Sequence, residues 1–158
     1  MKKMFVLFVA LMAFVSTAQA DVEINRKELI QKALEAQSKS YAPYSKFNVA
    51  AAVLCDSGKI YTGANVENAS FPVGVCAEMN AINRAVCEGE RHIVAIAIVG
   101  GAGGVNSDFS PPCGVCRQSM REFSDPKDLL IILAKSPDDY IEKKLEELLP
   151  LSFGPDNL

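Results

Sequence analysis

Ile93-Val94-Ala95-Ile96-Ala97-Ile98-Val99 is a run of seven residues without one polar side chain. A half-exposed strand alternates apolar with polar residues, so a continuous β-branched run of this length predicts a strand covered on both faces. The segments on either side read as helices. Upstream, Pro72 and Gly74 interrupt the chain, and Ala77, Ala81, Ile82, Ala85 and Val86 then recur at helical spacing from a start near Cys76. Downstream, the Gly-rich stretch 100–106 reads as a loop leading to Pro111-Pro112, and a helix is predicted from Cys113 to a point before Pro126. Leu129 to Leu133 repeats the pattern of a buried strand. Helices alternating with buried strands predict the α/β class, as a three-layer α/β/α sandwich around a central mixed sheet.

Further toward the N-terminus, Asn25 followed by Glu28 is a helix-start signal, and Leu29, Ile30, Ala33, Leu34 and Ala36 continue a stripe to about Ser38. Phe47 to Leu54 and Ile60 to Val66 read as paired strands around the turn Asp56-Ser57-Gly58-Lys59. Near the C-terminus a short helix is expected around Leu145 to Leu149. The first twenty residues stand apart. Lys2 and Lys3 precede the apolar run Met4 to Val15, and Ala18-Gln19-Ala20 offers small residues for cleavage. That is the layout of a secretory signal peptide, which predicts an exported (periplasmic or secreted) protein whose one domain spans residues 21–158. The apolar run is short for a membrane span, so no stable membrane anchor is expected after cleavage.

The chain of 158 residues is 49% hydrophobic and 22% charged, enough apolar content for a real core. Its net charge is −3, and loss of Lys2 and Lys3 makes it −5. An acidic chain without a basic stripe argues against nucleic acid as a partner. Five cysteines in an exported chain first suggest disulfides, yet an odd number cannot pair completely. Cys113 and Cys116 lie in Pro-Cys-Gly-Val-Cys, a spacing that serves a metal or a redox pair equally well. Cys76-Ala-Glu78, earlier in the chain, resolves part of that ambiguity. Three thiolates leave one tetrahedral position of a zinc ion open, which marks a catalytic site, where zinc activates water near neutral pH. Glu78, two residues after a ligand, can face the metal without binding it and move protons. Cys55 and Cys87 read as buried small hydrophobes, one in a strand and one on a helix, and His92, the only histidine, as a loop residue. One histidine gives nucleophilic triads little support.

Five stretches stand out from Ser40 onward: Tyr41-Ala-Pro-Tyr-Ser-Lys-Phe47, Gly63-Ala-Asn-Val-Glu-Asn-Ala69, Cys76-Ala-Glu78, Pro112-Cys-Gly-Val-Cys-Arg-Gln118 and Glu147-Leu-Leu-Pro-Leu-Ser-Phe-Gly154. In them the chain resembles the short, homotetrameric, zinc-dependent cytidine deaminases. The resemblance implies hydrolysis of cytidine and deoxycytidine to uridine and deoxyuridine plus ammonia. It implies one zinc per subunit on Cys76, Cys113 and Cys116, with Glu78 as the catalytic proton shuttle. It also implies that Asn65 and Glu67 hold the ribose and that Val66, Asn68, Ala69, Ser70 and Phe71 line the nucleoside pocket. Phe47 would flank the base, and Phe153 would reach a neighbouring subunit's site in a homotetramer. Two features depart from the family's habit. Met79 stands where an Arg commonly follows the glutamate and offsets the charge of three thiolates, leaving helix dipoles and Arg117 to do so. The signal peptide is the second, since these enzymes are ordinarily cytoplasmic. Two other readings keep some of the same residues. One is a zinc deaminase of another amino-pyrimidine or of a nucleoside antibiotic, which needs no Asn65-x-Glu67 pair. The other is a non-catalytic zinc or redox module.

Overall fold

The computed structural model describes residues 22–158; residues 1–20, read as a signal peptide, lie outside them. The elements run α1 (Arg26–Gln37), β1 (Phe47–Cys55), β2 (Ile60–Ala64), α2 (Ala77–Cys87), β3 (Ile93–Ala102), α3 (Gly114–Glu122), β4 (Leu130–Ser136), β5 (Asp139–Lys144) and α4 (Leu145–Leu148). Single 3₁₀ turns cover Phe71–Val73 and Pro155–Asn157. The five strands form one sheet in the order β2-β1-β3-β4-β5. Only β3 and β4 pair in parallel; the other three pairings are antiparallel. Because β2 and β3 both run against β1, they are parallel to each other across it. α2 therefore connects β2 to β3, and α3 connects β3 to β4, as crossovers.

The sheet separates two cores, as the sandwich requires. Alternate residues of β1, β3 and β4 point to opposite faces. Ala50, Ala52, Ala95, Ala97, Val99 and Ile132 meet Leu29, Ile30, Ala33 and Ala36 of α1 on one side. Ala51, Val53, Ile96, Ile98, Ile131 and Leu133 meet Ala77, Ala81, Ile82 and Met120 of α2 and α3 on the other. The Ile93–Val99 run is thus covered on both faces because both faces carry helices. Asn25 caps α1 by accepting from the Glu28 N–H at 3.2 Å, a contact of the kind that contributes about 1 kcal/mol.

Gly63 sets the height of α2 above the sheet. A methyl group there would lie 2.4 Å from both the Ala77 carbonyl oxygen and the Ala81 nitrogen. Only a residue without Cβ lets the first turn of α2 rest on β2.

Several expected boundaries move. β2 ends at Ala64, and Val66 instead makes isolated bridges to Tyr41 and Val75. Gly100–Ala102, read as loop, extends β3 against Phe47–Val49. Cys76 and Cys113 are the residues just before α2 and α3, not their first turns. β5 has no counterpart in the sequence reading.

Candidate metal centre and nucleoside pocket

α2 and α3 begin beyond the C-terminal ends of β2 and β3, on the same sheet edge as Phe47, the first residue of β1. Crossover helices place their N-termini at this edge of an open sheet, where ligands commonly bind. Cys76 and Cys113 are the N-caps of the two helices, and Cys116 lies in the first turn of α3. Their sulfurs all fall within 4.8 Å of one another. Cys76 Sγ is 3.9 Å from Cys113 Sγ, which is 3.4 Å from Cys116 Sγ. Zinc–sulfur bonds of about 2.3 Å separate tetrahedral thiolates by about 3.8 Å, so these donors fit the ion. All five cysteines are free thiols; Cys55 is buried as expected, but Cys87, read as buried, is exposed at the last residue of α2.

Charge is spread unevenly over the trio. Hydrogen bonding from Cys116 pulls the Cys76 thiol down to about 6, while that same bond and burial push Cys116 up. The exposed N–H groups and dipoles of two helix starts favour the negative form of all three. Arg117 donates from Nε to the Pro112 carbonyl (2.8 Å) and from a terminal nitrogen to the Leu148 carbonyl (2.7 Å). It fixes its charge beside the residue preceding Cys113. Met79 packs partly buried against the α2–α3 core.

Glu78 is 4% exposed, and burial raises its pKa above the usual carboxylate range. It opens with Cys76 and Cys113 onto a pocket of about 190 Å³, lined also by Phe47, Val49, Asn65, Ala77, Ile98, Ser110 and Pro111. Sequence reasoning did not single out Val49, Ile98, Ser110 or Pro111. Pro111 entered the sequence reading only as half of the Pro111-Pro112 approach to Cys113, and Ser110 not at all.

Asn65 is held on every side. Its Oδ1 accepts from the Val49 N–H (2.9 Å) and the Ser40 hydroxyl, and its Nδ2 donates to the Phe47 carbonyl (2.9 Å). Both carbonyl lone pairs are occupied and one amide hydrogen is left. The backbone partners fix which way the amide faces, so Asn65 offers a donor and no acceptor. Glu67 supplies the opposite polarity. One of its oxygens accepts the Tyr44 and Ser45 N–H groups at 2.9 and 3.2 Å. Bonding from the Ser45 hydroxyl and these N–H groups lowers its pKa against some desolvation. Glu67, Asn68 and Phe71 line a second cavity of about 470 Å³ with Tyr44, Ser45 and Gly74; Tyr44 and Phe71 meet edge to face, their centroids 5.9 Å apart. Val66, Ala69 and Ser70 line neither cavity and are exposed. Phe153 is exposed as well, near the C-terminus.

A sandwich with three thiolates at two helix starts and a buried carboxyl beside them defines a zinc hydrolase of the deaminase class. Residues 23–132 match the family model for the cytidine and deoxycytidylate deaminase zinc-binding region. The chain is 40% identical over 135 residues to a cytidine deaminase from Halalkalibacterium halodurans, covering 85% of this chain and 98% of that protein. A cytidine deaminase structure from Burkholderia pseudomallei superposes with a TM-score of 0.72 at 40% identity, over 80% of this chain and 97% of that one. The Mycobacterium tuberculosis cytidine deaminase structure gives 0.71 at 35%, over 84% and 99%. The chain belongs to the cytidine and deoxycytidylate deaminase family, whose zinc-binding region it carries.

Proposed function

We propose that this protein hydrolyses cytidine, and deoxycytidine, to the corresponding uracil nucleoside and ammonia. The observation that carries this reading is the pocket in which Glu78 stands buried beside Cys76, Cys113 and Cys116. Zinc, held by those three thiolates, supplies Lewis-acid activation of water. Glu78 takes the proton of the attacking water on its carboxylate and delivers it to ring N3. It then transfers the second proton to the departing amino nitrogen, so that water and cytidine balance against uridine and ammonia. Burial suits this work, since a carboxyl with a raised pKa holds a proton readily between the two transfers. Phe47 flanks the base. The free Asn65 N–H gives to a ribose hydroxyl oxygen in the pocket of Glu78, and the second Glu67 oxygen accepts from the sugar on the side of the cavity that Glu67 lines.

The substrate is a nucleoside and not a nucleotide. Glu67 and Glu78 are the charged side chains lining the two cavities, with no Lys, Arg or His among the lining residues. A phosphate would meet the like charge of these lining carboxylates. Exposed Phe71, Val73, Leu151 and Phe153 support assembly into a homotetramer with Phe153 completing a neighbour's pocket. The leader-like residues 1–20 support export, for which N-terminal sequencing of purified protein is the check. The function itself is tested by incubating zinc-loaded protein separately with cytidine and with deoxycytidine 5′-monophosphate. Uridine and ammonia should form from the first, and the nucleotide should stay unchanged. No uridine from a preparation with stoichiometric zinc overturns the assignment.

A further inference from the structure

Arg121 is a buried cation that the chemistry above does not use. It projects from the last turn of α3, one turn after Gln118 and five residues after the ligand Cys116. Only 8% of it is exposed. Its terminal nitrogen donates to Asp156 Oδ2 at 2.6 Å, while Nε, also buried, has no partner among the described residues. A solvated arginine would have no such orphan, and keeping one is costly. The guanidinium is held there by the C-terminal tail laid across it. A methyl at Gly154 would lie 2.5 Å from the guanidinium carbon and 2.6 Å from Nε, so the backbone passes over the flat face of the group. Gln118 donates from Nε2 to the Phe153 carbonyl at 3.0 Å, and the Gly154 N–H donates to Asn157 Oδ1 at 2.8 Å. Three anchors within four residues (Phe153 carbonyl, Gly154 backbone, Asp156 carboxylate) thus lie on one face of the helix that begins with the metal ligands. The Phe153 ring is left 61% exposed between them.

We infer that Arg121 is a positioning residue, which acts through Asp156 and Gly154 to hold the Phe153 ring outward, ready to enter the pocket of a second copy. The inference rests on the reading of Phe153 given above. It adds the part that orients the ring. An aromatic side chain on a free tail must be ordered at the moment of binding, and one stapled to a helix has already lost that freedom. Asp156 is 82% exposed, so its effect can be removed without opening the core.

The experiment compares full-length, zinc-loaded protein with Asp156→Asn, Phe153→Ala and the double variant, using cytidine as substrate. KM and kcat are measured together with zinc content and Tm. Phe153→Ala should raise KM roughly tenfold. Asp156→Asn should raise KM roughly three- to tenfold, with kcat, zinc and Tm unchanged, and the double variant should be no worse than Phe153→Ala alone. Asp156→Glu, which keeps the charge, should recover most of the loss. A raised KM for Phe153→Ala beside an unchanged KM for Asp156→Asn overturns the clasp while leaving the role of Phe153 intact. Effects that multiply in the double variant overturn it too, because Asp156 would then act by another route. An unchanged KM for Phe153→Ala removes the reading of Phe153, and the clasp with it.

Discussion

Gly63→Ala tests how closely the metal centre depends on the seat of α2. The added methyl would stand 2.4 Å from the Ala77 carbonyl oxygen and the Ala81 nitrogen, where ordinary contact begins at 3.4 Å. Both neighbours are backbone, so no side chain can swing away. α2 has to lift by about 1 Å, and it carries Cys76 and Glu78 while α3 keeps Cys113 and Cys116 in place. Overpacking of this kind costs about 1–3 kcal/mol. Removing a glycine from a strand interior returns about 0.5–1 kcal/mol, so the fold should survive with a net loss of about 1–2 kcal/mol. The site should suffer more. A displacement near 1 Å at reacting groups is worth roughly 10²-fold in rate, and the Cys76 sulfur is drawn off the other two by a similar distance. Denaturant unfolding, zinc content and kcat on cytidine measure the three consequences separately. A variant with full zinc and a rate within about threefold of the parent would refute the reasoning, because α2 would then be seated by something other than Gly63.

Glu78→Gln keeps the shape of the pocket but cannot carry protons. Turnover should fall about 10²–10⁴-fold with zinc and nucleoside binding retained, and a rate within a few fold of the parent would take Glu78 out of the mechanism. Cys113→Ala should lose zinc and lower the unfolding midpoint together, because metal binding couples to folding; stoichiometric zinc at an unchanged midpoint means the ligands lie elsewhere. Ser40→Ala exposes an Asn65 lone pair and lets the amide rock, so KM should rise about 2- to 10-fold at constant kcat, with Ser40→Thr close to the parent. Equal KM values for all three proteins would show that the hydroxyl does not brace Asn65. Glu67 is held below the usual carboxylate range by the Ser45 hydroxyl and the Tyr44 and Ser45 N–H groups, so it stays ionised as pH falls toward about 5. KM should be flat from neutral pH down to that point and rise only below it, whereas a rise beginning above pH 6 (roughly) would contradict the lowered pKa.

The buried strands and the helix starts were legible because each has a strong local cause. Ile93–Val99 is apolar throughout, and the Pro-Cys and Val-Cys approaches to α3 and α2 supply extended N-cap residues. The ligand trio was legible for the same reason, since its members sit at those starts. β5 was not. Asp139-Tyr-Ile-Glu-Lys-Lys144 is an edge strand with charged side chains facing water, and such residues guard an edge without leaving an apolar alternation. The glycines 100 and 101 read as loop, yet they continue β3 because neighbouring chain passes where side chains would be. A Cβ on Gly101 would meet the Val105 carbonyl oxygen at 1.8 Å. Asn65 and Glu67 were expected to share a strand end, but β2 stops at Ala64. Beyond it Asn65 is bonded to Ser40, Phe47 and Val49 and lines the pocket of Glu78, whereas Glu67 is bonded to Tyr44 and Ser45 and lines the other cavity. Periodicity carries no information about bonds of that kind.

The metal ligands come from both crossover connections: Cys76 precedes α2, and Cys113 and Cys116 open α3. Neither connection can close the trio until the other has docked, because β3 lies between them in sequence. A bond that forms only after both have docked belongs to the native state and contributes little to the barrier leading there. Such bonds act on lifetime, slowing departure from the folded state far more than they speed arrival. Chelation of the ion should therefore shorten the life of the folded molecule while leaving its refolding rate nearly untouched.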